Sequence, residues 1–193
     1  VGERAFSGTF RSLSDLALDA PRHGPHAVPV RAPPCLLAQS IALLSIALPA
    51  AAAEVPLLPP LSPACISSPF GPRSGAGPRA SSLHTGIDIP APAGAWVRAA
   101  AAGAVVSIRR RGAAGLEVTL RHADGRATRY AHLGTVAPAL ANGRRQVAAG
   151  EALGRIGRSG ITYGTHLHLE LLVDGAPVDP APAFGLSPCA QPP

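Results

Sequence analysis

An all-β fold, a single small domain of packed antiparallel sheets, is what this sequence predicts. Three observations carry that expectation. Past residue 65, short apolar runs alternate with turn residues at close spacing. No stretch of helical length repeats its apolar residues every 3.6 positions. Gly and Pro, 21 and 22 of 193 residues, punctuate the chain too often for long helices. Aromatic residues are only 4% of the chain, so the core has to be built from Val, Leu, Ile and Ala.

Along the chain, residues 1–34 show no periodicity and stand as an unassigned N-terminal extension. Residues 35–53 ("CLLAQSIALLSIALPAAAA") follow the basic Arg31 with an apolar run and end in Ala-x-Ala, the pattern of a signal peptide cleaved after Ala53. An uncleaved anchor is the alternative, but a spanning helix needs about 20 predominantly apolar residues. This run is shorter and breaks at Pro49, so no stable membrane span is expected after cleavage. Residues 54–64 form a Pro-rich lead-in, expected to be extended and loosely packed. The domain proper is expected over 65–185, with a tail at 186–193. Export would leave Cys65 and Cys189 near the two ends of that domain, where an oxidising compartment favours a disulfide between them.

Strands are expected near 96–100, 103–110, 115–122, 126–132, 147–148, 152–156 and 166–173. Asp124-Gly125 is a hairpin signal, and "VDGAP" (173–177) marks another turn after the last long strand. The segment from Val136 to Ala141 reads as a turn. All 17 basic residues are Arg, and the formal charge of +6 suits an acidic polymer such as cell-wall material. "RRR" at 109–111 has no aromatic platform beside it, so a nucleic-acid partner is not expected.

The stretch "GTHLHLELLV" (164–173) places His166 and His168 on alternate positions. In a strand both rings project from one face, about 6–7 Å apart at Cα, while Leu167, Leu169 and Leu171 take the other. "LHTGID" adds His84 and Asp88. An extended chain would hold them about 13 Å apart, so a bend at Thr85-Gly86 is expected to fold Asp88 back toward His84. His84, Asp88 and one member of the pair then offer two imidazole nitrogens and a carboxylate. That set suits Zn²⁺ with a fourth position left for water.

Five fragments occur in order: "SPFGPR" (68–73), "LHTGIDIPAPAGAWVRAAAAGAVV" (83–106), "RYAHLG" (129–134), "VAAGEALGRIGRSG" (147–160) and "GTHLHLE" (164–170). Together they resemble the lysostaphin/LytM-type zinc metallopeptidases, which cut peptide bridges in bacterial peptidoglycan. The resemblance covers about 65–185. It implies a small β-sheet core with the metal in a loop-walled groove. It makes His84, Asp88 and His168 the zinc ligands. His166 resembles the family's catalytic histidine, and His132 resembles that histidine's partner.

The function so implied is an exported, zinc-dependent endopeptidase acting on peptidoglycan stem peptides, periplasmic or secreted, with direct cross-links favoured over glycine bridges. The contrasting reading is a non-catalytic wall-binding regulator of the same fold that activates a separate hydrolase. Such relatives lose ligands, whereas this chain keeps three ligands and both accessory histidines. Some relatives also place a tyrosine just upstream of the first ligand. Residues 73–83 have none, which leaves Tyr163 as a candidate substitute. Tyr130 is expected in the core, facing away from His132. Glu170 shares the histidine face and reads either as an acceptor fixing a ring tautomer or as a solvated carboxylate. His122, beside the Asp124-Gly125 turn, is expected at the surface.

Overall fold

The computed structural model describes residues 53–74 and 77–190. The 1–34 extension and all but the last residue of the expected signal peptide lie outside them. The strands are β1 (Gly71–Pro72), β2 (Leu83–His84), β3 (Ile87–Pro90), β4 (Trp96–Arg98), β5 (Gly103–Arg111), β6 (Gly115–Arg121) and β7 (Ala127–Val136). After helix α1 (Pro138–Ala141) follow β8 (Gln146–Val147), β9 (Ala152–Ile156), β10 (His166–Val173), β11 (Ala176–Val178) and helix α2 (Ala181–Phe184). Nine strands form one antiparallel sheet, with β11, β10, β7, β6, β5 and β8 side by side. β3 pairs with β10, while β9 pairs with both β7 and β4. β1 and β2 make a separate two-stranded ribbon. The all-β class expected from the sequence is the one observed.

Alternation builds the core. Leu167 and Leu169 of β10, Ile87 and Ile89 of β3, Val118 and Leu120 of β6 and Leu153 of β9 are fully buried on the inner side. Burial of each such side chain stabilises the fold by roughly 1.5–3 kcal/mol. Gly86 is fixed by a close approach, because a Cβ there would stand 2.3 Å from the Leu169 carbonyl oxygen. The Thr85-Gly86 bend therefore lies flat against β10.

Several expectations need correcting. The strand expected near 96–100 ends at Arg98. Beyond it the backbone bonds elsewhere: Ala99 N–H donates to the Glu151 carbonyl, and Ala100 N–H to the Tyr130 hydroxyl, at 2.8 Å each. The Pro-rich lead-in is not loose. Leu61 is buried in the core, and Arg98 N–H bonds the Pro60 carbonyl at 3.0 Å. The strand expected to stop at 132 continues to Val136, because residues 133–136 pair with β9. The expected turn contains the short helix α1, entered through Pro138, where a missing N–H costs nothing.

His122 is not at the surface. It is buried, with Nδ1 3.0 Å from the Ala102 carbonyl and Nε2 2.9 Å from Thr128 Oγ1, which in turn meets the Tyr130 hydroxyl at 2.9 Å. Tyr130 itself is fully buried, as expected. Cys65 and Cys189 form a disulfide across a sequence separation of 124. Closing so long a loop stabilises a fold by about 2–5 kcal/mol. Among the described residues no helix is long and apolar enough to cross a membrane.

Candidate metal centre

Register sets the centre. On adjacent antiparallel strands His168 of β10 stands directly opposite Asp88 of β3, so their side chains emerge as cross-strand neighbours. The bend after β2 then returns His84 to the same place. Its Nε2 lies 3.1 Å from Asp88 Oδ1 and 3.0 Å from His168 Nδ1. His168 Nδ1 is 3.1 Å from the same carboxylate oxygen. One donor atom from each of His84, Asp88 and His168 lies within 4.8 Å of the others. Of the histidine pair, it is thus His168 that completes the group.

In both rings the outward nitrogen is committed as a donor, so loss of the inner proton leaves a lone pair aimed at the centre. His84 Nδ1–H donates to the Pro69 carbonyl at 2.7 Å. His168 Nε2–H donates to Glu170 Oε1 at 3.1 Å. Glu170 also accepts from the Thr85 hydroxyl and from Arg129 Nη1, at 2.6 Å each. It is therefore an acceptor that fixes the His168 tautomer, which settles the alternatives left open by sequence. Two imidazoles and one carboxylate, with tautomers set from behind, fit Zn²⁺ and leave a position open.

The electrostatics agree. Burial would raise the Asp88 pKa, but hydrogen bonds from His168 and His84 outweigh it and hold the carboxyl well below its ordinary range. Burial would lower His168, but its bonds to Asp88 and Glu170 push it up to about 9. A metal ion taking Nδ1 displaces that proton, as binding to imidazole requires.

His166 stands beside this group, with Nε2 3.5 Å from Asp88 Oδ1 and Nδ1 3.3 Å from the Thr162 hydroxyl. The His132 ring lies edge-on to His166, with centroids 4.9 Å apart. His132 reaches this position through an irregularity in β7. Leu116 pairs with Leu133 and Val118 with Tyr130, so Ala131 and His132 together oppose the single Glu117. His132 takes a positive φ of 62°, a region histidine enters more readily than most residues. Residues two apart in a regular strand share a face; the bulge sends Tyr130 to the core and His132 to the groove. Its Nδ1–H donates to the Ser159 carbonyl at 2.9 Å, which leaves Nε2 free. Burial lowers the pKa of both His132 and His166.

These groups line a cavity of about 450 Å³, within the range of small-ligand sites. Its walls come from the segment after β1, the β5–β6 hairpin tip and the loop before β10. Tyr163 is on that last wall, half exposed, and its hydroxyl accepts from Arg79 N–H at 3.1 Å. Tyr163→Phe removes only this bond between walls, and is expected to lower kcat/KM less than tenfold in a peptide-cleavage assay. A larger loss would make the hydroxyl part of the chemistry.

Sequence reasoning gave Thr85 only a place in the bend, and assigned no role to Arg129 or Arg73. Arg129 pairs in register with Glu170 across β7 and β10, information that sequence spacing does not hold. Arg73 closes the "SPFGPR" fragment, with Nη1 3.1 Å from Ser68 Oγ and 3.5 Å from Asp88 Oδ2.

Comparison with known proteins adds the context. The family described as Peptidase family M23 matches residues 82–180. A DD-carboxypeptidase/endopeptidase, Mpg, of Neisseria meningitidis is 44% identical over 115 residues, which is 60% of this chain and 26% of that protein. The chain thus spans about a quarter of the length of that curated relative. Among solved structures, a zinc-containing peptidase from Vibrio cholerae superposes with a TM-score of 0.56 at 30% identity, covering 65% of this chain and 39% of that one. The catalytic domain of the prophage-encoded M23 protein EnpA from Enterococcus faecalis, as a mutant, gives a TM-score of 0.54 at 29% identity, covering 64% and 95%.

Proposed function

This chain belongs to peptidase family M23, and from that premise we propose that it is an exported zinc endopeptidase hydrolysing the peptide cross-links of bacterial peptidoglycan. The observation that carries the proposal is one groove in which three donors converge beside two further histidines. His84 Nε2, Asp88 Oδ1 and His168 Nδ1 would hold the ion. When bound, zinc supplies Lewis acidity, lowering the pKa of water and polarising a carbonyl.

The chain's own residues do the rest. Burial keeps His132 and His166 neutral at pH 7, so each offers a basic nitrogen to the groove. Between them they take the proton of an attacking water and return one to the departing amine, the work of a general base and acid. Once its Nε2 has taken a proton, His132 has an N–H facing the groove that can stabilise charge on the reacting carbonyl oxygen. Glu170, Thr85 and Arg129 keep His168 in one tautomer, so the ligand set does not reorganise. The name of the Neisseria relative, a DD-carboxypeptidase/endopeptidase, supports a DD-peptide bond as the substrate, and periplasmic or secreted action is proposed with it.

The purified protein is expected to hold about one zinc per chain and to clear a peptidoglycan gel. A chelator should stop clearing and added zinc restore it, with mass analysis finding cross-linked muropeptides converted to monomers. Clearing that persists in fully chelated protein would overturn the proposal.

A further inference from the structure

We infer that Arg73 receives a free carboxylate carried by the residue that departs with the amine, and that it thereby selects the cross-link. The inference rests on the proposed function and narrows its substrate class.

Arg73 is built into the groove beside the metal ligands. Its Nε donates to the Ser81 carbonyl at 3.2 Å and its Nη1 to Ser68 Oγ at 3.1 Å, so the guanidinium is already ordered before anything binds. Its side chain is 23% exposed. Among the described residues, Nη2 makes no hydrogen bond and Asp88 is the one carboxylate within ion-pair reach, at a long 3.5 Å. Asp88 turns its other oxygen to His84 and His168. A divalent ion held there absorbs the charge of Asp88 and leaves that of Arg73 uncompensated. The other groove carboxylate among the described residues, Glu170, is consumed by Thr85, Arg129 and His168. The floor of the groove is therefore positive, with Nη2 and its two N–H groups unused on a fixed guanidinium.

The chemistry of the substrate supplies the match. A direct cross-link to a diamino-dicarboxylic acid joins a D-alanine carbonyl to the amine on a carbon that also bears a free carboxylate. A terminal D-alanyl-D-alanine presents the same group in the same place. In a glycine bridge the corresponding carboxyl is tied up in the next amide. An arginine next to the reacting carbonyl distinguishes the first two from the third by a charge-assisted hydrogen bond.

The test uses two synthetic cross-linked peptides that differ only in whether this leaving residue carries a carboxylate or a carboxamide. The zinc-loaded protein should prefer the carboxylate by at least tenfold in kcat/KM. In Arg73→Gln the ratio should fall toward one, and Arg73→Lys should restore part of it. The ratio is independent of zinc loading. No preference in the wild type, or a ratio unchanged in Arg73→Gln, would overturn the inference; the latter would leave Arg73 as a prop for Asp88 alone. If neither peptide is cut, the hydrolytic proposal fails separately. Calorimetry with acetyl-D-alanyl-D-alanine and its C-terminal amide then decides: about tenfold tighter binding of the acid, lost in Arg73→Gln, supports the arginine, and equal binding refutes it.

Discussion

His168→Ala is expected to abolish both zinc binding and hydrolysis. The substitution removes the one nitrogen that lies within 3.1 Å of both His84 Nε2 and Asp88 Oδ1, leaving a two-donor site. It also strips Asp88 and Glu170 of a shared hydrogen-bond donor in a region where each is buried. Breaking one side of a buried charged pair costs about 3–5 kcal/mol. Metal analysis should find almost no zinc, and cleavage should drop by at least about 10³-fold, since a zinc hydrolase without its ion loses both activated water and polarised carbonyl. Far-ultraviolet circular dichroism separates this from unfolding. Stoichiometric zinc in a folded His168→Ala protein would show that the ion is held elsewhere.

His166→Ala should give the opposite dissociation: zinc retained, turnover lost. Its Nε2 is 3.5 Å from Asp88 Oδ1 and no hydrogen bond joins it to His84, so the donor set survives its removal. What disappears is a neutral base beside the reacting atoms, a loss of about 10²–10⁴ in kcat with little change in KM. His132→Ala should behave alike. The double variant should fall little further than either single one, because groups that act as a unit are far from additive. Zinc content measured with single-turnover cleavage checks this, and near-normal turnover in His166→Ala would remove it from the chemistry.

The parts of the centre that sequence made legible are those governed by local periodicity. Alternation in 166–171 told which way His166 and His168 face, and the distance between His84 and Asp88 demanded the Thr85-Gly86 bend. Long-range pairing was out of reach. Nothing in the spacing opposes Arg129 to Glu170, or brings Pro69 and Ser159 carbonyls to the backs of His84 and His132. The strands β1, β2, β3 and β11 were missed because two to four residues are too few to show a period. His122 was misplaced for a related reason. A polar residue next to a turn reads as solvated, and only the fold shows Ala102 and Thr128 waiting to satisfy both ring nitrogens.

The extra residue in β7 has a corollary. It uncouples two directions that a regular strand would force onto one side: Tyr130 enters the core and His132 the groove. Left-handed backbone is the territory of Gly and Asn. An exchange of His132 for either would remove the imidazole from the groove while leaving the backbone of the bulge unstrained.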